Sequence, residues 1–293
     1  MRKWLRKNPL VRRAYWRARL AAGLPPGNES EVLYRLGKIR RTNAGGGRFF
    51  FDFPWGRFEY TSIGTLVSQY RDIFISKQYA FECESPKPVI VDCGGNIGLS
   101  AVWFKQNYPS CCLTVYEADP QIAEILKRNL LRAGYTDVNV RQQAVWAAEG
   151  TVGFYREGTD KGAISSKSSF LVPAIALAEH LPDRVDLLKL DIEGAEFLVI
   201  DHLCQTGAIE RVQRLVVEFH VIRERADAFL ATLTRLRESG IDVAIGSAVP
   251  SFALGRASSV APFKAICDRN LLIEVYAWRR GGVPRPLCSG QHP

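Results

Sequence analysis

Apolar positions along the chain change their rhythm near residue 88. From there to residue 278, short apolar runs alternate with stretches in which apolar residues recur every three to four positions. Residues 89–93, 113–117, 138–145, 185–191, 214–219, 241–245 and 270–277 read as strands, with 151–155 a short extra one. Residues 99–107, 120–132, 174–181, 195–204 and 225–239 read as helices, the second opened by the cap Asp119 and the first-turn Pro120. Strands separated by helices need crossover connections, so the sheet is parallel and covered on both faces. The prediction is an α/β, doubly wound domain over residues 88–278. Within it, residues 158–169, rich in Ser, Gly and Lys, read as a polar loop.

The segment before residue 88 follows other patterns. Residues 9–22 form a predicted helix framed by Asn8, Pro9 and Gly23, and 31–41 a short strand or helix. Aromatic-rich residues 48–60, with Pro54, Trp55 and Gly56 at the centre, predict a β-hairpin, and 64–77 a helix. The organisation is thus a basic arm (1–28), an accessory helical and hairpin layer (29–87) able to cover a substrate site, the α/β domain, and a tail (279–293).

Charge changes this picture only at one end. The 293 residues carry 39 bases and 30 acids, a net +9. Eight of those bases lie in the first 20 residues, which hold no acid; the remainder has 31 bases against 30 acids. A near-neutral body argues against nucleic acid as partner. The arm has two readings. It is a helix resting on an anionic membrane surface through residues 1–22, with Trp4, Tyr15 and Trp16 at the interface, or a helix packed on the domain with its arginines solvated. No uninterrupted apolar h-region marks a secretory signal, and the apolar run 170–178 is too short to span a bilayer. Seven cysteines without C-x-x-C or zinc spacing fit free thiols in a reducing cytoplasm. The expected location is cytoplasmic, with peripheral contact to the inner face of a membrane under the first reading.

Chemistry gathers at three strand ends. The first strand runs into Asp92-Cys93-Gly94-Gly95-Asn96-Ile97-Gly98 and then a helix, a turn in which glycines admit close backbone approach to a ligand at a helix N-terminus. The dinucleotide pattern G-x-G-x-x-G is absent. Asp92 beside the turn suits an ammonium better than a pyrophosphate. The second strand ends at Glu117 and Ala118, where a carboxylate accepts ribose hydroxyls of a nucleoside. Further on, Leu188-Lys189-Leu190-Asp191-Ile192-Glu193-Gly194-Ala195-Glu196 collects three acids at a strand-to-helix turn, Glu196 fitting a structural role at the helix dipole. Glu218 and His220 share one face of the next strand by its period of two.

In this order, D-C-G-G-N-I-G, V-Y-E-A-D-P, L-K-L-D-I-E-G-A-E and V-V-E-F-H resemble the FkbM family of S-adenosylmethionine-dependent methyltransferases, over residues 70–245, with 73–79 similar to its opening motif. The resemblance implies a Rossmann-like class I methyltransferase fold, with a seven-stranded, mostly parallel sheet containing one antiparallel strand. It implies O-methylation of a hydroxyl on a sugar or glycan, polyketide or related metabolite. Cys93 and Gly95 stand where the family often has Val and Ala, and Ala176-Leu177-Ala178-Glu179 replaces a segment usually richer in Thr and Asp.

On that reading Asp92 and Gly94 hold the methionine end of S-adenosylmethionine, Asn96 lines it and Glu117 binds the ribose; Gly95, Gly98, Ala118 and Asp191 complete the cofactor set. An alcohol needs a base or a metal to become a nucleophile. His220 is the candidate base, since a free imidazole titrates near neutrality. Asp191 with Glu193 or Glu218 is the candidate Mg²⁺ set. Two other classes remain in view at this point, an NAD-dependent oxidoreductase and a membrane-associated binding protein with a degenerate cofactor fold.

Overall fold

A computed structural model of the protein describes residues 29–39, 48–157, 161–164, 170–221, 226–250 and 271–280. The expected arm helix, most of the polar loop and nearly all of the tail lie outside the described residues. In chain order come α1 (Glu29–Leu36), β1 (Phe49–Phe53), β2 (Gly56–Tyr60), α2 (Ile63–Tyr70) with a π-helical turn over Arg71–Ile75, β3 (Val89–Cys93), α3 (Leu99–Asn107), β4 (Cys112–Tyr116), α4 (Pro120–Arg132) and β5 (Asn139–Arg141). Then follow β6 (Ala144–Trp146), β7 (Gly150–Glu157), β8 (Lys161–Ile164), β9 (Phe170–Ala176), α5 (Leu177–His180), β10 (Leu187–Leu190), α6 (Glu196–Gln205), β11 (Arg214–Val221), α7 (Ala226–Glu238), β12 (Ile241–Pro250) and β13 (Leu271–Arg279).

The main sheet has seven strands in the order β12-β13-β11-β10-β3-β4-β5. Strands β5, β4, β3, β10 and β11 run parallel, while β13 is antiparallel to both of its neighbours. The chain builds outward from β3 through β4 to β5, then returns to the other side of β3 to lay down β10 and β11. The order reverses between β3 and β10, where such sheets open a ligand crevice at their carboxyl ends. The one antiparallel strand agrees with the expectation from the motifs.

Local signals explain the elements beside that crevice. Asp119 caps α4 by accepting the N–H of Gln121 at 2.8 Å, Pro120 occupies its first turn, and Ile122, Leu126 and Leu130 bury one stripe. On the same stripe the fully buried Asn129 donates to the carbonyls of Glu59 and Ile97, both at 2.9 Å, and accepts from the N–H of Glu59 at 2.7 Å. Glu59 is itself buried and gripped by Arg128 and Arg132 of α4. The hairpin β1–β2 is thereby tied to the helix that follows Glu117.

The accessory layer shares one apolar core with the domain. Val32, Leu36, Phe51, Phe58, Tyr70 and Phe74 pack with Ile90, Ile97, Trp103 and Leu126. Stacked rings of Phe53, Trp55 and Phe74, with centroids 4.5 and 4.8 Å apart, tie the π-helical turn after α2 to the β1–β2 hairpin. On the opposite face of the sheet, α5, α6 and α7 cover a second core around Leu188, Leu190, Val217 and Phe219.

Three expectations are corrected. Residues 138–145 form two short strands, because the chain leaves the main sheet after Arg141 pairs with Tyr116 and then pairs Ala144 with Ala174 in a separate sheet. That second sheet, β6-β9-β7-β8, also takes in residues 161–164 of the expected polar loop. The helix expected over 174–181 is only Leu177–His180, since Ala174, Ile175 and Ala176 are spent pairing with β6. All three differences come from strand pairing with segments distant in the chain, which the local pattern does not show.

Candidate active site

The first wall of the crevice is the glycine turn. Gly94 and Gly95 both donate their N–H groups to the carbonyl of Tyr116, at 2.9 and 3.0 Å, joining the ends of β3 and β4. Gly94 adopts φ +89°, and a Cβ there would overlap the carbonyl of Asp191. A Cβ on Gly95 would run into the Val115 side chain. Gly98 (φ +98°) stands at the N-terminus of α3 and does not line the crevice.

Glu117 forms the second wall. Its carboxylate accepts the N–H of Asn96 at 2.8 Å and that of Asp119 at 2.9 Å, so it is fixed between the glycine turn and the cap of α4. Burial pushes its pKa up to about 7, against the pull of those two N–H groups. Ala118 lines the crevice beside it.

Asp92 sits where the sequence reading needs revision. It is fully buried, one oxygen accepting from Ser100 at 2.5 Å and the other paired with Lys189 at 2.9 Å. It does not line the crevice, so the ammonium it faces is that of Lys189 and not of a ligand's methionine end. Lys189 itself was missed. The signal was present in Leu-Leu-Lys-Leu, a lysine inside an otherwise apolar strand.

The acidic motif after β10 now has a local reason. Glu193 (φ +54°) and Gly194 (φ +105°) make a tight left-handed turn. Glu196, wholly buried, closes that turn by accepting the N–H groups of Ile192 and Gly194 at 3.0–3.1 Å. It also meets His220 Nδ1 at 3.0 Å, while His220 Nε2 lies 3.2 Å from Glu193 and 3.9 Å from Glu218.

Both ring nitrogens of His220 therefore face carboxylates. Burial opposes its charge, but the hydrogen bonds to Glu193 and Glu196 outweigh it and push its pKa up to about 11. The imidazolium is a poor proton acceptor at neutral pH, and the ground for naming His220 the base falls away. Glu218 is pushed up to about 8, first by the charge of Asp191 and then by burial, and burial also raises Asp191. Asp191, Glu193 and His220 bring donor atoms within 4.8 Å of one another. That differs from the expected oxygen set, because His220 takes the place assigned to Glu218.

These walls enclose a cleft of about 850 Å³, a volume suited to a small-molecule ligand pair. Gly94, Gly95, Asn96, Glu117 and Ala118 line it together with Asp191, Glu193 and Glu218. The accessory layer contributes Ser62, Thr65, Ser68, Gln69, Ser76 and Tyr79, and β13 contributes Glu274 and Tyr276. Of these, only Ser76 and Tyr79 fall in a stretch marked in the sequence, residues 73–79; the others come from segments with no fixed spacing to the motifs. No helix among the described residues is long and apolar enough to cross a membrane.

Strand order, the single antiparallel strand and the cleft at the reversal point define a class I methyltransferase fold. Residues 92–241 match the methyltransferase FkbM domain, and the chain belongs to that family of methyltransferases. It is 28% identical over 204 residues to methyltransferase sdnD of Sordaria araneosa, covering 55% of this chain and 78% of that protein. To methyltransferase 1 of Beauveria bassiana it is 23% identical over 205 residues, covering 60% and 81%. A solved structure of methyltransferase FkbM from Methylobacillus flagellatus aligns with TM-score 0.44 at 16% identity, over 67% of this chain and 45% of that one. The oxidoreductase and binding-protein readings find no support in these similarities.

Proposed function

We propose that the protein transfers the methyl group of S-adenosylmethionine to a hydroxyl oxygen of a polar acceptor, of the sugar, glycan or hydroxylated polyketide kind. The observation that carries this reading is Glu117, a half-open carboxylate fixed by two backbone N–H groups beside a turn with no Cβ at Gly94 or Gly95. That arrangement fits a nucleoside ribose on Glu117 and the rest of the cofactor along the glycine turn. The cofactor, when bound, supplies an electrophilic sulfonium methyl.

What the chain supplies is placement and proton removal. Hydroxyls and amides of Ser62, Thr65, Ser68 and Gln69 offer an acceptor with many hydroxyls its hydrogen bonds. Glu218, with a pKa of about 8, is matched to take the proton of a hydroxyl near neutral pH, and the neighbouring charge of Asp191 raises its basicity. Glu193 and the charged His220 hold the loop that carries Asp191. Calorimetry with S-adenosylhomocysteine and NADH, followed by labelled-methyl transfer over glycans, lipid-linked sugars and polyketides, tests the reading. Tight binding of the first ligand alone, with label recovered in an alkali-stable ether, is expected; NADH binding or label on nitrogen or carbon overturns it.

A further inference from the structure

A lysine in the middle of a strand buried on both faces is expensive, since an apolar residue of similar volume would pack there without desolvating a charge. Lys189 nevertheless occupies that place in β10, its side chain 3% exposed. In the parallel ladder it stands directly beside Asp92 of β3. Its ammonium lies 2.9 Å from Asp92, donates to the carbonyl of Gly94 at 2.8 Å, and is 3.4 Å from the carbonyl of Cys93 and 3.8 Å from Asp191. The ammonium thus donates to the Gly94 and Cys93 carbonyls and is ion-paired with Asp92 and Asp191. The ring of Tyr79 from the accessory layer covers it, 5.8 Å from the nitrogen.

The partners belong to two different walls of the cleft. Gly94 is in the glycine turn, and Asp191 opens the acidic loop after β10. Their backbones touch, so closely that Gly94 tolerates no side chain. A countercharge for Asp92 alone would need no bond to the Gly94 carbonyl. We propose that Lys189 is a positioning residue, clamping the glycine turn to the acidic loop and so fixing the cradle into which the cofactor fits. The proposal rests on the S-adenosylmethionine reading of that cradle.

The test is a cycle of Lys189→Met, Asp92→Asn and the double variant, read by thermal melting, S-adenosylhomocysteine affinity and the separate cofactor KM and kcat. Lys189→Met alone strands a buried carboxylate, and its melting is expected to fall. The double variant removes both charges, is expected to fold, and is the decisive member. If Lys189 positions the turn, the double variant binds S-adenosylhomocysteine at least tenfold more weakly than Asp92→Asn, with cofactor KM raised by a similar factor and acceptor KM unchanged. Equal affinity of the double variant and Asp92→Asn overturns the proposal, because Lys189 then only neutralises Asp92. A double variant that is unfolded also overturns it, by making Lys189 a determinant of folding. Failure of the unaltered protein to bind S-adenosylhomocysteine refutes the cofactor reading instead.

Discussion

The carboxylate of Glu117 accepts the backbone N–H of Asn96 at 2.8 Å, so the residue that ends the second strand is locked to the turn that follows the first. Its pKa of about 7 sets a pH dependence. The charged form binds ribose hydroxyls, so affinity for S-adenosylhomocysteine is expected to fall roughly tenfold per unit below pH 7 and to level off above it. Glu117→Gln is expected to weaken binding by about 1.5–3 kcal/mol at pH 8 and to abolish the pH dependence. For stability the sign is opposite: an acid whose folded pKa is raised loses stability as pH climbs from its ordinary range to about 7. Calorimetric titrations from pH 5 to 8 check both variants.

Gly95 has no room for a side chain, with Val115 the nearest obstacle and Leu126 the next. An alanine Cβ would run into Val115 Cγ1, a side chain on the neighbouring strand. Gly95→Ala is expected to cost about 1–3 kcal/mol by overpacking. Gly95→Ala with Val115→Ala should recover much of that loss, and a denaturant double-mutant cycle measures the interaction. Additive losses would show that the neighbouring Val115 is not the reason for glycine.

His220 is a charged tie between Glu193 and Glu196 in this geometry. Because its folded pKa of about 11 lies above the unfolded value, the stability it contributes is complete below about pH 6.5 and is lost as pH rises through 11. His220→Asn, measured in EDTA, is therefore expected to cost about 3 kcal/mol at pH 6 and progressively less toward pH 10. A melting-temperature gap that stays constant across that range contradicts the assignment.

Glu218 and the acidic loop make a prediction about metals and bases together. Asp191 and Glu193 already face Lys189 and His220, so their charges are compensated within the protein. Methyl transfer is expected to survive dialysis against EDTA, and Glu218→Gln to lower kcat by roughly 10²–10⁴-fold with S-adenosylhomocysteine affinity unchanged. Activity lost in EDTA and restored by Mg²⁺ or Mn²⁺ would instead assign Asp191, Glu193 and His220 as ligands.

Much of this arrangement is legible from residue order. Alternation of apolar runs and helical stripes, with Asp119-Pro120 capping α4 and glycines after β3, depends only on neighbours along the chain, so the α/β order and the strand-end positions of Asp92, Glu117, Asp191 and Glu218 follow from the sequence alone. Which group neutralises which does not. Asp92 meets Lys189 only because β3 and β10 are adjacent, His220 meets Glu196 only because β11 lies beside the turn after β10, and Ala144 leaves the main sheet only because β9 offers it a partner. Charge compensation and strand pairing act through space between segments far apart in the chain. Tertiary structure therefore decided that Asp92 is a buried anchor and His220 a tie between two carboxylates, while Glu117, Asp191, Glu193 and Glu218 line the cleft.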